Sequence, residues 1–220
     1  MLEALISAWR ASGCALGGMF DIRYAPWFLG MSSAVNNNEI GSPRLFIARK
    51  SYKLGTRGPL YRTRATYGGT IPWVAIHAID WVLALGGKCK RVAALKSDAF
   101  NQNHGDLETT VSMLFEMEDG KMATVTADFL RPGGSVRHDD DRLMIVGSEG
   151  TVEAVDHQVF ITDKLSKRAL VLPEPGSSFI DFSASIGSKR ATELAENALY
   201  ATRVALAARQ ASDDNCWITI

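Results

Sequence analysis

Residues 142–163 read RLMIVGSEGTVEAVDHQVFITD. Short apolar runs over 142–147, 150–155 and 158–163, rich in Val and Ile and separated by Gly, Ser, Glu and Asp, are the pattern of consecutive β-strands. Gly147-Ser148-Glu149-Gly150 is a hairpin signal, and strands joined by so tight a turn must run antiparallel. Upstream, the same reading gives strands at 90–97, 109–118 and 121–130, the last two joined at Glu118-Asp119-Gly120-Lys121; downstream it gives one at 168–172. Arg44–Tyr52 reads as a half-exposed strand with Leu45 and Ile47 as its apolar positions.

Helical periodicity bounds this run of strands. Leu2, Leu5, Ile6 and Trp9 form one stripe that Gly13 ends, residues 26–37 follow Pro26 as a short helix, and Thr70 caps a helix that Gly86-Gly87 stop. That helix carries Ile71, Val74, Ala78, Trp81 or Val82, and Leu85 on one face. A long alanine-striped helix closes the chain at 187–211. The expected fold is α+β, a large, mostly antiparallel sheet with helices packed on one face. Between the first helix and Pro26, CALGGMFDIRY (14–24) reads as a buried strand. A helix feeding such a strand is the second half of a βαβ unit, so residues 1–24 are expected to be an orphaned helix–strand remnant of a Rossmann domain, and residues 25–220 the α/β domain proper. Leu5, Ile6, Trp9, Met19 and Phe20 would then lack the sheet they were shaped to meet.

Composition narrows the function. Twenty-four Lys and Arg balance 24 Asp and Glu among 220 residues, which gives no electrostatic reason to expect nucleic acid or an anionic membrane as partner. Cys14, Cys89 and Cys216 form no C-x-x-C pair, which fits a reducing compartment and argues against a thiolate metal site. No apolar run of membrane length and no secretory signal is read, so a soluble, cytoplasmic protein is expected. His138-Asp139-Asp140-Asp141 lacks the spaced ligands of a cation site and reads as a solvated loop. No metal is expected.

The motifs Arg23-Tyr24-x-Pro26, Glu39-Ile40-Gly41, Tyr67-Gly68-Gly69-Thr70, His77-x-x-Asp80 and Gly147-x-x-Gly150-Thr151 stand in one order along the chain. In that order and spacing they resemble the C-terminal half of the glucose–fructose oxidoreductase / inositol dehydrogenase (Gfo/Idh/MocA) family. The resemblance implies an oxidoreductase of sugars, cyclitols or related polyols that uses NAD or NADP, and an oligomer built through the sheet face. It implies that His77 handles the substrate hydroxyl proton, which suits a near-neutral imidazole at the positive end of a helix. It also places Arg23 and Tyr24 near the cofactor–substrate boundary, where packing an interdomain joint is the alternative.

Lys53, Arg57, Tyr61 and Tyr67 read as a polyol- or phosphate-binding wall, with cations for anionic groups and phenols for hydroxyls, or else as a solvated connection. Trp73 stands where the family commonly has an acid four residues before the histidine; an indole there can stack on a sugar ring. For His77 the alternative is a packed helix histidine, and for Asp80 a structural partner. The chain contains no G-x-G triplet, so a dinucleotide is not expected to bind tightly to it alone, and a separate Rossmann domain is the implied partner. Two functions follow: the substrate-binding and oligomerisation half of an NAD(P)-dependent oxidoreductase, or a non-catalytic binding or assembly module derived from one.

Overall fold

The computed structural model describes residues 2–220. Helix α1 (Leu2–Ser12) ends at Gly13 and α2 spans Pro26–Asn36. Strand β1 (Pro43–Tyr52) leads through two short turns, one of them α3 (Arg64–Tyr67), into a π-helical turn, Ile71–Ala75, and α4 (Ile76–Gly86). Strands β2 (Cys89–Ser97), β3 (Thr110–Met117), β4 (Met122–Asp128), β5 (Asp139–Gly147), β6 (Gly150–Val155), β7 (Gln158–Asp163) and β8 (Lys167–Ala169) follow. Helices α5 (Ser178–Ser185) and α6 (Lys189–Asp214) precede a final two-residue strand, β9 (Ile218–Thr219).

The nine strands make one sheet in the order β8-β7-β6-β5-β1-β4-β3-β2-β9. Every pairing is antiparallel except the central one, where β1 runs parallel to β4 with Lys50 opposite Ala127. This is the expected α+β fold with its mostly antiparallel sheet. The β5–β6 hairpin falls where the glycines place it, and a Cβ at Gly147 would collide with the Ile40 carbonyl oxygen.

One sheet face is covered by α2 over β6 and β7, α4 over β1 and β4, and α6 over β2. Its core includes Phe46, Val92, Phe115, Val125, Ile145 and Ile161. Trp27 of α2 meets Trp81 of α4 edge-on, centroids 5.1 Å apart, and so ties two of the covering helices together. The other face is open, and Ile47, Leu95, Leu114, Met122 and Trp217 are exposed.

Several expectations change. Residues 13–20 form no strand, and Asp21–Tyr24 is a 3-10 turn. No neighbouring strand offers a ladder there, and an apolar run without pairing partners has no reason to extend into β-structure. Ile6, expected to lack a partner, is buried, and Glu3 pairs with Arg203 of α6 at 2.6 Å, while Leu5 and Met19 stay exposed as expected. In β1 the inward residues are Phe46, Ala48 and Lys50, while Ile47 faces outward. Asp139–Asp141 is the start of β5 rather than a solvated loop. Asp141 meets Lys50 at 2.7 Å, and Asp140 is held by Arg131 and Arg142 at 3.2 and 3.0 Å.

Arg64–Gly86 is long and apolar enough by composition to cross a membrane, which the sequence reading overlooked. Gly68 and Gly69, with φ of 83° and 102°, break it, and Ile71, Val74, Ala78, Trp81 and Val82 are buried in the core. It reads as a core helix.

Candidate functional site

At the carboxyl ends of the parallel pair β1 and β4 lies a cavity of about 500 Å³, lined by Tyr52, Arg57, Tyr61, Pro72, Trp73, Val74, His77, Phe129 and His138. Tyr52 ends β1, Phe129 directly follows β4, and His138 directly precedes β5. The crevice outside the carboxyl ends of parallel strands is where open α/β sheets take ligands, because loops diverge there.

The fourth wall is the entry to α4. Thr70 makes no side-chain cap. Instead the buried Glu108 carboxylate accepts the Thr70 N–H at 2.7 Å, while the Thr70 hydroxyl donates to the Glu108 carbonyl, also at 2.7 Å. A carboxylate from a distant loop thus does the capping. Pro72 lies within the π-helical turn, a form often found at functional sites, and the turn carries Trp73 to the cavity wall. The Trp73 indole donates to the Tyr61 hydroxyl at 3.2 Å, and the two rings meet edge-on. Tyr61 also flanks the Arg57 guanidinium, which lies 5.2 Å from the Tyr61 ring centroid and 4.6 Å from that of Phe129. On the opposite side Tyr52 and His138 stack at 5.0 Å.

His77, in the first turn of α4, has its Nδ1 buried without a hydrogen-bond partner. No protein group binds Nε2 among the described residues, and it is the ring nitrogen left accessible. Burial pushes the imidazole down from its ordinary 6.5 to about 4; the charge of Lys50 adds to this and Asp21 opposes it. The ring is therefore neutral at pH 7, and the first cause is desolvation rather than the helix end. Lys50 lies beneath, 1% exposed, with its ammonium 4.8 Å from the Tyr52 ring centroid and 5.4 Å from that of Trp81.

Of the residues read from the sequence, His77, Trp73, Tyr61 and Arg57 come together. Tyr67 and Lys53 do not. Tyr67 is buried; its hydroxyl donates to the Asp106 carbonyl and accepts the Glu108 N–H, both at 3.0 Å. Lys53 turns into a neighbouring cleft, where its ammonium donates to the carbonyls of Gly133 (2.9 Å) and Ser135. Arg23 forms a two-pronged ion pair with Asp80 at 2.7 and 2.6 Å, fastening the 3-10 turn to α4; Asp80 is thus a structural partner. The Tyr24 hydroxyl donates to Asp181 at 2.6 Å, and burial followed by that carboxylate pushes it up to about 12.

Sequence reasoning missed Lys50, Tyr52, Phe129 and His138. The alternation Phe46, Ala48, Lys50 was the available signal for the first. Among the described residues no three His, Cys, Asp or Glu side chains converge as a metal site would need.

A family model described as the GFO/IDH/MocA C-terminal domain matches residues 28–153. The chain is 30% identical over 227 residues to the uncharacterized oxidoreductase YrbE of Bacillus subtilis (strain 168), covering 94% of this chain and 63% of YrbE. It thus spans less than two thirds of that relative's length. A Thermotoga maritima protein named only as an oxidoreductase has a solved structure matching with a TM-score of 0.95 at 40% identity, over 100% of this chain and 68% of that one. Levoglucosan dehydrogenase, solved with NADH and L-sorbose, matches with a TM-score of 0.78 at 15% identity, over 100% and 69%, a likeness of fold. With that family model matched over more than half of its length, the chain belongs to the GFO/IDH/MocA C-terminal domain family.

Proposed function

We propose that this chain is the substrate-binding and oligomerisation half of an NAD(P)-dependent oxidoreductase acting on a sugar, cyclitol or related polyol, with His77 as proton acceptor. The observation that carries the reading is a neutral imidazole, with no protein hydrogen-bond partner among the described residues, lining a cavity of about 500 Å³ beside an exposed indole and a phenol. Trp73 offers a stacking face to a sugar ring and Tyr61 a hydroxyl donor. His77 would take the proton of a carbinol hydroxyl as that carbon loses hydride. An imidazole lowered to about 4 is a weak base. It suffices because a hydroxyl whose carbon is becoming a carbonyl is itself strongly acidic.

Hydride acceptance is the chemistry a nicotinamide supplies, and the residues of this chain do not fit a dinucleotide. There is no G-x-G triplet, and Arg23 and Tyr24 are already engaged with Asp80 and Asp181. We therefore assign the dinucleotide to a Rossmann domain outside these residues, with 1–24 as the last unit of that domain and 25–220 as the substrate domain. The apolar residues on the open sheet face support a homo-oligomer through that face. Trp73 in the family's acid position favours the second reading, a binding or assembly module without turnover.

NMR of the full chain tests the proposal, with myo-inositol and D-glucose as probes and the His77 imidazole and Trp73 indole as reporters. Saturable shifts at both are expected. Shifts at neither, or submillimolar binding of NAD or NADP to this chain, would overturn it.

A further inference from the structure

We infer that the polyol taken by this cavity carries an anionic group, carboxylate or phosphate, and that Arg57 holds it; the inference rests on the cavity being the substrate site proposed above. The side chains of the lining residues include one guanidinium, two imidazoles, two phenols and an indole, and no carboxylate or carboxamide. Each hydroxyl of a neutral polyol carries one hydrogen beside two lone pairs, so a site for it needs acceptors as well as donors, whereas a carboxylate or phosphate group only accepts. This lining brings one permanent cation and several N–H and O–H donors, and its side-chain acceptors are limited to the Tyr52 and Tyr61 hydroxyls and the two imidazoles. The Tyr61 oxygen already accepts the Trp73 indole N–H. His77 supplies one imidazole nitrogen, which the proton transfer uses.

Arg57 is the one side chain among these lining residues with a permanent charge, and no carboxylate pairs with it among the described residues. Its Nη2 donates to the Lys53 carbonyl at 2.9 Å; Nε has no partner, and Nη1 has none among the described residues. Of the other half-buried and buried cations nearby, Lys50 is paired with Asp141, Arg131 with Asp140 and Arg23 with Asp80, while Lys53 is turned away into the neighbouring cleft, onto the Gly133 and Ser135 carbonyls. Tyr61 and Phe129 flank the Arg57 guanidinium, which fixes its plane before any ligand arrives. A guanidinium fixed in this way, with Nη1 unused among the described residues, is suited to a carboxylate or phosphate oxygen. An anion there also supplies the counter-charge that this half-buried guanidinium lacks among the described residues, a gain a neutral ligand does not give.

The test is an NMR titration of the full chain, following the Trp73 indole (assigned with Trp73→Phe) and the His77 ring. The probes are D-glucose, D-glucuronate, D-glucose 6-phosphate and sulfate. At least one sugar anion is expected to bind tenfold or more tightly than D-glucose, and which one does so separates carboxylate from phosphate. Arg57→Gln should bring the ratio of sugar-anion to D-glucose affinity down to about one, while Arg57→Lys keeps part of the anion preference. On the unaltered chain, raising NaCl from 0.05 to 0.5 M should weaken the anion several-fold and spare D-glucose. Glucose binding as tightly as both sugar anions, an anion advantage that survives Arg57→Gln, or sulfate matching the sugar anions would each overturn the inference while the polyol cavity stands. Silence from every probe would remove the cavity reading with it.

Discussion

Protonating His77 should destabilise the protein, and the size of the effect follows from its surroundings. The folded imidazole titrates at about 4 because burial, then the Lys50 charge, disfavour the cation. An unfolded histidine titrates near 6.5. The unfolded chain therefore takes up the proton first, so the stability held at this site is intact above pH 6.5 and is lost as pH falls toward 4. Between pH 7.5 and 4.5 the loss comes to about 2.5 kcal/mol. For a domain of this length that is roughly 5–10 °C in Tm. Carboxylates and the other histidines titrate over the same range, so the quantity to read is a difference. The Tm drop between pH 7.5 and 4.5, followed by circular dichroism, should be larger for the unaltered chain than for His77→Gln by that amount. Equal drops, within a degree, would mean the imidazole is not desolvated as the geometry requires.

Three further outcomes are expected. Asp80→Ala leaves Arg23 facing a hollow, and since that guanidinium is still 24% exposed to water, the cost should sit at the low end for a broken buried pair, about 3 kcal/mol. Chemical denaturation reads it, Arg23→Met with Asp80→Leu should recover at least half, and a loss below about 1 kcal/mol contradicts the pairing. Leu114→Glu on the open face should change monomer stability by less than about 0.5 kcal/mol yet lower the mass seen by light scattering; an unchanged mass would move the oligomer interface elsewhere. Removing residues 1–20 forfeits the burial of Ile6, about 2 kcal/mol, with little from the exposed Glu3–Arg203 pair. The deletion also strips Phe20 from the His77 ring, 6.1 Å away edge-on, so the pH effect at that ring should shrink; an undiminished effect would mean Phe20 does not shield it.

The legible parts of the sequence were the local ones. Gly13 stops α1, Gly147 and Gly150 bracket a hairpin, and the alternation through β3 and β4 matches the observed inward residues. Such signals depend on a few neighbouring residues. The pairing of β1 with β4 was not legible, because nothing within either strand specifies a partner some seventy residues away. Lys50 and Asp141 each read as solvated, since a charge becomes plausible in a core only when its counter-charge is known, and the two lie on different strands. The run 14–24 failed for the opposite reason. Its apolar residues looked like a buried strand, but apolar content does not distinguish a strand from an irregular segment that uses the same residues to touch a helix.

At the site, His77, Trp73, Tyr61 and Arg57 were found through motif order and loop composition. Tyr52, Phe129 and His138 escaped because they mark strand ends that only the sheet brings side by side. The expectation for Tyr67 mistook a phenol near the site for one inside it.

The central strand of the sheet is also the first to leave the ribosome. β1 emerges long before β4 and β5, and at ordinary translation speeds its wait is roughly 4–15 s. Throughout that interval both of its hydrogen-bonding edges are bare, a state that invites copies of the same nascent segment to stack. Arg44, Arg49, Lys50 and, just beyond, Lys53 give the waiting strand four like charges, which set two such copies against each other. The ammonium that ends up beneath the cavity thus has an earlier task, as a guard on a strand whose neighbours have yet to be made.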